Sequence, residues 1–121
     1  MRNRLTGFAI AIVRFCKPLW LRQDTRNIAD QLSRSATSVA SNYRIACRAR
    51  SRREFISKLS IALEEADESA GWLEVIAATE PALVDAIKPL LKESREIVAM
   101  LSASRTTARE RARRDSGTAN P

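Results

Sequence analysis

The sequence predicts an all-α protein, an antiparallel up-down-up-down four-helix bundle, on three observations. Apolar residues recur at steps of three and four along most of the chain, which places them on single helical stripes, and no segment alternates with the period of two that a strand requires. Ala, Leu, Ile, Arg, Glu and Ser dominate, while glycines number 3 and prolines 4, a composition that suits helices. The breaks between the stripes are short, as in a bundle whose successive helices are antiparallel neighbours.

The first helix is expected over about residues 6–17 or a little beyond, with Leu5, Phe8, Ile12, Phe15 and Leu19 on one stripe. Pro18 disfavours helical geometry at Lys17 and is expected to kink or stop it. Asp24 or Thr25 then caps a second helix over 25–49. Its stripe is Ile28, Leu32, Ser35, Val39, Tyr43 and Ala46, beside a flank of small polar groups, Gln31, Ser35, Ser38 and Asn42.

Ser51-Arg52-Arg53-Glu54 is an S-x-x-E capping box, in which the serine accepts from the Glu54 amide and Glu54 reaches back to the Ser51 amide. It opens a third helix over 52–79. The main stripe of that helix is Phe55, Leu59, Ala62, Ala66, Ala70, Leu73 and Ala77, and a second flank holds Ile61, Trp72, Val75 and Ile76. One partner cannot cover both. The uncovered strip, Ile61, Trp72 and Val75, is therefore read as a subunit interface.

If the second and third helices fold back about Arg50–Ser51, Arg34 comes level with Asp67 and within reach of Glu64 and Glu68. Ion pairing there is the plain structural reading of Arg34, Glu64, Asp67 and Glu68, with Ser38 and Asn42 as accompanying polar groups, and each exposed pair would contribute only about 0–1 kcal/mol. Pro81 opens a fourth helix over 81–104. Val84, Ile87, Leu91, Val98 and Leu101 form its stripe, widened by Leu83, Leu90 and Ile97. Pro89 lies inside it, so a bend or short break is expected at Asp85–Pro89. Residues 1–104 thus make one bundle domain, and 105–121 read as a frayed basic helix end followed by a disordered tail.

Charge is unevenly spread. Residues 1–53 carry twelve Arg/Lys and two acids, residues 54–104 carry four and ten, and residues 105–121 carry five and two, for a net +7. A positive field of this kind attracts phosphate backbones without sequence preference. The same segregation favours association between copies. No apolar run reaches the roughly 20 residues of a membrane span. The apolar stretch from Phe8 to Phe15 is interrupted by Arg14, followed by Lys17 and by no small-residue cleavage site, so a cytoplasmic protein is expected. Cys16 and Cys47 lack Cys-x-x-Cys spacing and read as small buried apolar residues.

Catalytic constellations are missing. With no histidine in the chain, the Glu-x-x-His motifs of di-iron bundles and His-based acid/base catalysis are unavailable. Glu64, Glu65, Asp67 and Glu68 fan around one helix instead of converging from several, so no metal is expected. Ser38 and Asn42 have no base beside them, and no glycine loop cradles a phosphate. The sequence therefore points to no enzyme and no cofactor.

The run RSATSVASNYRIACRARSRREFISKLSIALEEADESAGWLE resembles the central signature of the bacterial 23S rRNA intervening-sequence protein family, to which the accessory variability proteins of diversity-generating retroelements are related. The resemblance rests on Gln31, Arg34-Ser35, Ser38, Asn42, the basic turn Arg48–Arg53, Phe55, Leu59, Ala62-Leu63, Glu65-Ala66-Asp67-Glu68 and Trp72. The widespread form of the motif has Ser-Ile-Pro-x-Asn-Ile-Ala-Glu-Gly. Here Ala40 replaces the proline, as in the branch with Ala-Asn-Tyr-Arg-x-Ala-Cys-Arg-Ala. The resemblance implies a four-helix protomer, a homopentameric barrel and no known catalysis. For the retroelement members it implies a basic partner of a reverse transcriptase and its RNA or DNA.

Two functions follow. One is a scaffold that binds RNA or DNA through phosphate contacts from Arg44, Arg48, Arg50, Arg52 and Arg53. The other is a protein-interaction module whose arginines serve subunit contacts.

Overall fold

A computed structural model describes the backbone of residues 1–119 and the side chains of residues 1–117. Four helices, α1 (Arg2–Trp20), α2 (Arg26–Cys47), α3 (Arg52–Thr79) and α4 (Val84–Ala119), follow one another, with a 3₁₀ turn at Pro81–Leu83 and no strand among the described residues. Each packs against its sequence neighbours, and a thinner α1–α4 seam closes the bundle, while the diagonal pairs do not approach closely. Leu5, Phe8, Ile12 and Leu19 from α1, Leu32 and Val39 from α2, Leu59 and Leu73 from α3, and Ile87, Ile97 and Leu101 from α4 form the buried core.

Several expectations are corrected. α1 passes through Pro18 and stops two residues later, at Trp20. The amide missing at Pro18 would have bonded the carbonyl of Arg14, an exposed position where water can serve instead. Thr25 stands at the start of α2 but does not cap it with its side chain; its buried hydroxyl donates to the Leu19 carbonyl at 2.7 Å, which ties the end of α1 to the α1–α2 link. Ser51 accepts from the Glu54 amide at 3.1 Å as the capping box requires. Glu54, however, accepts from the Arg50 amide at 3.4 Å in place of that of Ser51.

Helix α4 runs unbroken past Pro89. Because Pro89 and Asp85 both lie on the exposed side, the lost bond costs the core nothing. The same helix continues through 105–119, where the sequence suggested fraying; Ala108 is buried there and Arg105 donates to Ser60 at 3.4 Å. Residues 120–121 of the expected disordered tail lie outside the described residues. Ile76, expected on the outer flank of α3, is fully buried. Cys16 is buried, and desolvation pushes its thiol up to about 11. Cys47 is exposed, contrary to its reading as a core residue.

Candidate nucleic-acid interface

An antiparallel bundle brings the start of α1, the end of α2, the start of α3 and the end of α4 to one pole. The two basic stretches of the sequence, the α2–α3 corner and the C-terminal segment, therefore meet. Arg52 pairs with Asp115 across that pole, and Arg111 joins Ala49, Arg50, Arg52 and Phe55 around a depression of about 390 Å³. On the other side Arg44 and Arg48 join Arg2 and Asn3 around a second depression, of about 360 Å³.

Four of the five arginines singled out in the sequence, Arg44, Arg48, Arg50 and Arg52, are thus divided between two surfaces at one end, and Arg53 lines neither. All five are exposed. Among the described residues no ion pair engages Arg44, Arg48, Arg50 or Arg53, whereas Arg52 is partly neutralised by Asp115. Arg2 belongs with Arg44 and Arg48, a grouping the sequence could not show because it depends on α1 packing beside α2.

The expected Arg34 cluster does not form. Among the described residues no ion pair joins Arg34 to Glu64, Asp67 or Glu68, and all four side chains are exposed. The hairpin register explains it. Ser69 meets Ser35 at 2.9 Å, three residues further along α3 than a fold about Arg50–Ser51 places it, so α3 is shifted by about 4.5 Å at ~1.5 Å per residue and Arg34 comes level with about Ala70 in place of Asp67. Ser38 and Asn42 do interact: the Asn42 amide donates to the Ser38 hydroxyl at 2.8 Å and carbonyl at 2.9 Å. Glu65, half-buried, has its carboxyl pushed up, by desolvation first and then by the charges of Glu68 and Glu64. Among the described residues no group of acids and cysteines is arranged to hold a metal ion.

On the outer strip of α3, Val75 is 45% exposed. Ile61 and Trp72 are half-buried, and the Trp72 indole donates to Glu68 at 3.2 Å. The sequence reading missed a second surface. Between α1 and α2 an open groove of about 430 Å³ has Ala9, Ile10, Val13 and Ala40 as its floor, with Arg14, Lys17 and Arg44 on its rim and no carboxylate. Ile10, 46% exposed, stands off the core stripe of α1, and that off-stripe position was the signal available.

No helix among the described residues is long and apolar enough to cross a membrane. Comparison with known proteins gives two findings. The sequence model of the 23S rRNA-intervening sequence proteins matches residues 3–103. A crystal structure from Bacteroides thetaiotaomicron, described as a protein of unknown function from the S23 ribosomal protein family, superposes with a TM-score of 0.79 at 36% identity, covering 84% of this chain and 94% of that one. No curated protein matches.

Proposed function

The chain belongs to the family of 23S rRNA-intervening sequence proteins, and from that premise we propose that it is a non-enzymatic, oligomeric scaffold of the cytoplasm that binds RNA or DNA through phosphate contacts at its basic pole. The observation that carries this is the gathering of Arg2, Arg44 and Arg48 on one side and Arg50 and Arg111 on the other at one end of the bundle. Exposed arginines without carboxylate partners keep their charge for phosphate, and copies in a ring would add their fields. No aromatic side chain stands exposed among them: Tyr43 and Phe55 are half-buried, which favours backbone contact over base stacking. A role beside a reverse transcriptase and its nucleic acid, and assembly into a homopentamer, belong to the same proposal; the strip Ile61, Trp72 and Val75 supports the assembly.

A labelled RNA duplex titrated with the protein at rising salt tests the reading, because phosphate-driven binding weakens steeply between 50 and 200 mM salt. Affinity indifferent to salt would overturn it. The alternative is a protein-interaction module without nucleic acid, whose arginines serve subunit contacts. Charge reversal at Arg48 and Arg52 separates the two: loss of the oligomer supports the alternative, and loss of nucleic-acid binding with the oligomer intact supports the scaffold.

A further inference from the structure

We propose that the groove between α1 and α2 is a docking site for an acidic amphipathic helix of a partner protein. The groove runs from Thr6 to Lys17 on α1 and from Thr37 to Arg44 on α2, so along α1 it is about 16 Å long at ~1.5 Å per residue. Its floor is apolar. Ile10 is 46% exposed and Val13 is half-buried, while Ala9 and Ala40 add only methyl groups, which leaves room for a third helix to settle between the two.

Charge says what that helix must carry. Arg14, Lys17 and Arg44 rim the groove, all exposed and, among the described residues, without an ion pair. Neither helix supplies a carboxylate to the groove: α1 contains no Asp or Glu, and the one acid of α2, Asp30, accepts from the Trp20 indole at 3.2 Å. A partner has to bring the counter-charge. Arg44 and Thr6 also border one depression at the pole, so Arg44 stands at the Thr6 end of the groove, and Arg14 lies about 12 Å further along α1. The cations therefore occupy opposite edges at opposite ends. A helix with apolar residues at i, i+3 or i+4 and i+7, and a carboxylate on each flank about two turns apart, meets floor and rim together. Other occupants meet only part of the surface. A phosphate backbone would answer the rim and leave Ile10 and Val13 against polar groups. A fatty acid lying in an open groove would keep much of its chain in water, whereas small-ligand sites bury most of their ligand.

The probe is a labelled, end-capped peptide of about 18 residues, long enough to form a helix, with leucines at that spacing and glutamates on both flanks. A scrambled peptide of the same composition and a version with lysine for every glutamate are the controls. By fluorescence anisotropy the parent should prefer the glutamate peptide to either control by about tenfold or more. R14E/K17E should abolish the preference for glutamate over lysine. Ile10→Asn, which changes the floor and leaves the charge alone, should weaken the glutamate peptide by about fivefold or more. Circular dichroism melts like the parent's establish that both variants are folded. Equal binding of the scrambled peptide, an unchanged preference in R14E/K17E, or parental affinity in Ile10→Asn would each overturn the site. So would a fall in particle mass by light scattering in either variant, because a second copy would then fill the groove, and so would a collapse of RNA binding in Ile10→Asn, because nucleic acid would then occupy it.

Discussion

The hydroxyl of Ser69 lies 2.9 Å from that of Ser35 inside the α2–α3 interface, and neither reaches solvent to any extent. Ser35 also donates to the Leu32 carbonyl at 3.0 Å, and Ser69 lies 2.9 Å from the carbonyl of Glu65. Two small residues let the helices approach closely here while every polar atom keeps a partner. Removing one hydroxyl leaves the other with a partner on its own helix only, so Ser35→Ala and Ser69→Ala should each cost about 0.5–1.5 kcal/mol. The double change should cost less than the two together, since an apolar pair of the same shape has nothing left unsatisfied. Ser69→Leu should be worse than either, by about 1–3 kcal/mol, from overpacking. Urea unfolding of the parent and the four variants checks this, and strict additivity would show that the pair is not coupled.

Arg4 holds the thin α1–α4 seam. Its guanidinium grips Glu93 at 2.5 and 2.9 Å and Glu96 at 2.7 Å. Hydrogen bonding to Arg4, and then the Arg4 charge, hold the Glu93 carboxyl below its usual range. A carboxyl whose folded pKa is depressed contributes stability that is complete above its unfolded value, near 4.3, and is lost as pH falls through the folded one. Glu93→Gln should therefore cost at most about 1 kcal/mol at neutral pH, because the pair is partly exposed. The gap to the parent should close in acid. Urea midpoints compared at pH 7 and pH 3 decide it; a gap independent of pH would rule out the linkage.

Pro89 sits inside α4 with no amide to offer the carbonyl of Asp85, yet the helix does not break. Pro89→Ala restores that bond and removes the ring from the preceding turn. An interior proline costs about 3 kcal/mol relative to alanine, and part of this is returned because alanine leaves the unfolded chain freer. A net gain of about 1–2 kcal/mol is expected in urea unfolding. A loss would mean that the proline shapes the entry from the 3₁₀ turn at Pro81–Leu83.

What could be read from the chain alone divides along a physical line. The four stripes were legible because burial imposes their spacing, and Leu5, Leu32, Leu59 and Leu101 all went to the core they implied. Proline positions misled, because a missing hydrogen bond is easily replaced by water where the residue left without its partner is exposed, and Arg14 and Asp85 both are. Cross-helix details stayed hidden. The fate of Arg34 depended on a shift of three residues between α2 and α3, which the buried Ser35–Ser69 pair sets and no periodicity reveals. The groove between α1 and α2 was equally silent, since it exists only once Ile10 and Ala40 are neighbours.

The arginines of the basic pole can be told apart by the salt dependence of binding. Each phosphate neutralised on a duplex adds about 0.9 to the slope of log affinity against log salt. Arg44 and Arg48 carry no ion pair among the described residues, while Arg52 is already held by Asp115. Arg44→Gln with Arg48→Gln should therefore lower the slope by about 1.8 if both touch phosphate, and weaken binding alike for unrelated sequences. Arg52→Gln should lower it by less, because its charge is shared. Asp115→Asn releases Arg52 and should steepen the slope and tighten binding. Fluorescence anisotropy on one RNA duplex across a salt series ranks all three. If Arg52→Gln proved the most damaging and Asp115→Asn had no effect, the nucleic acid would be running over the α3–α4 side of the pole with Asp115 displaced, and Arg2, Arg44 and Arg48 would lose their place in the interface.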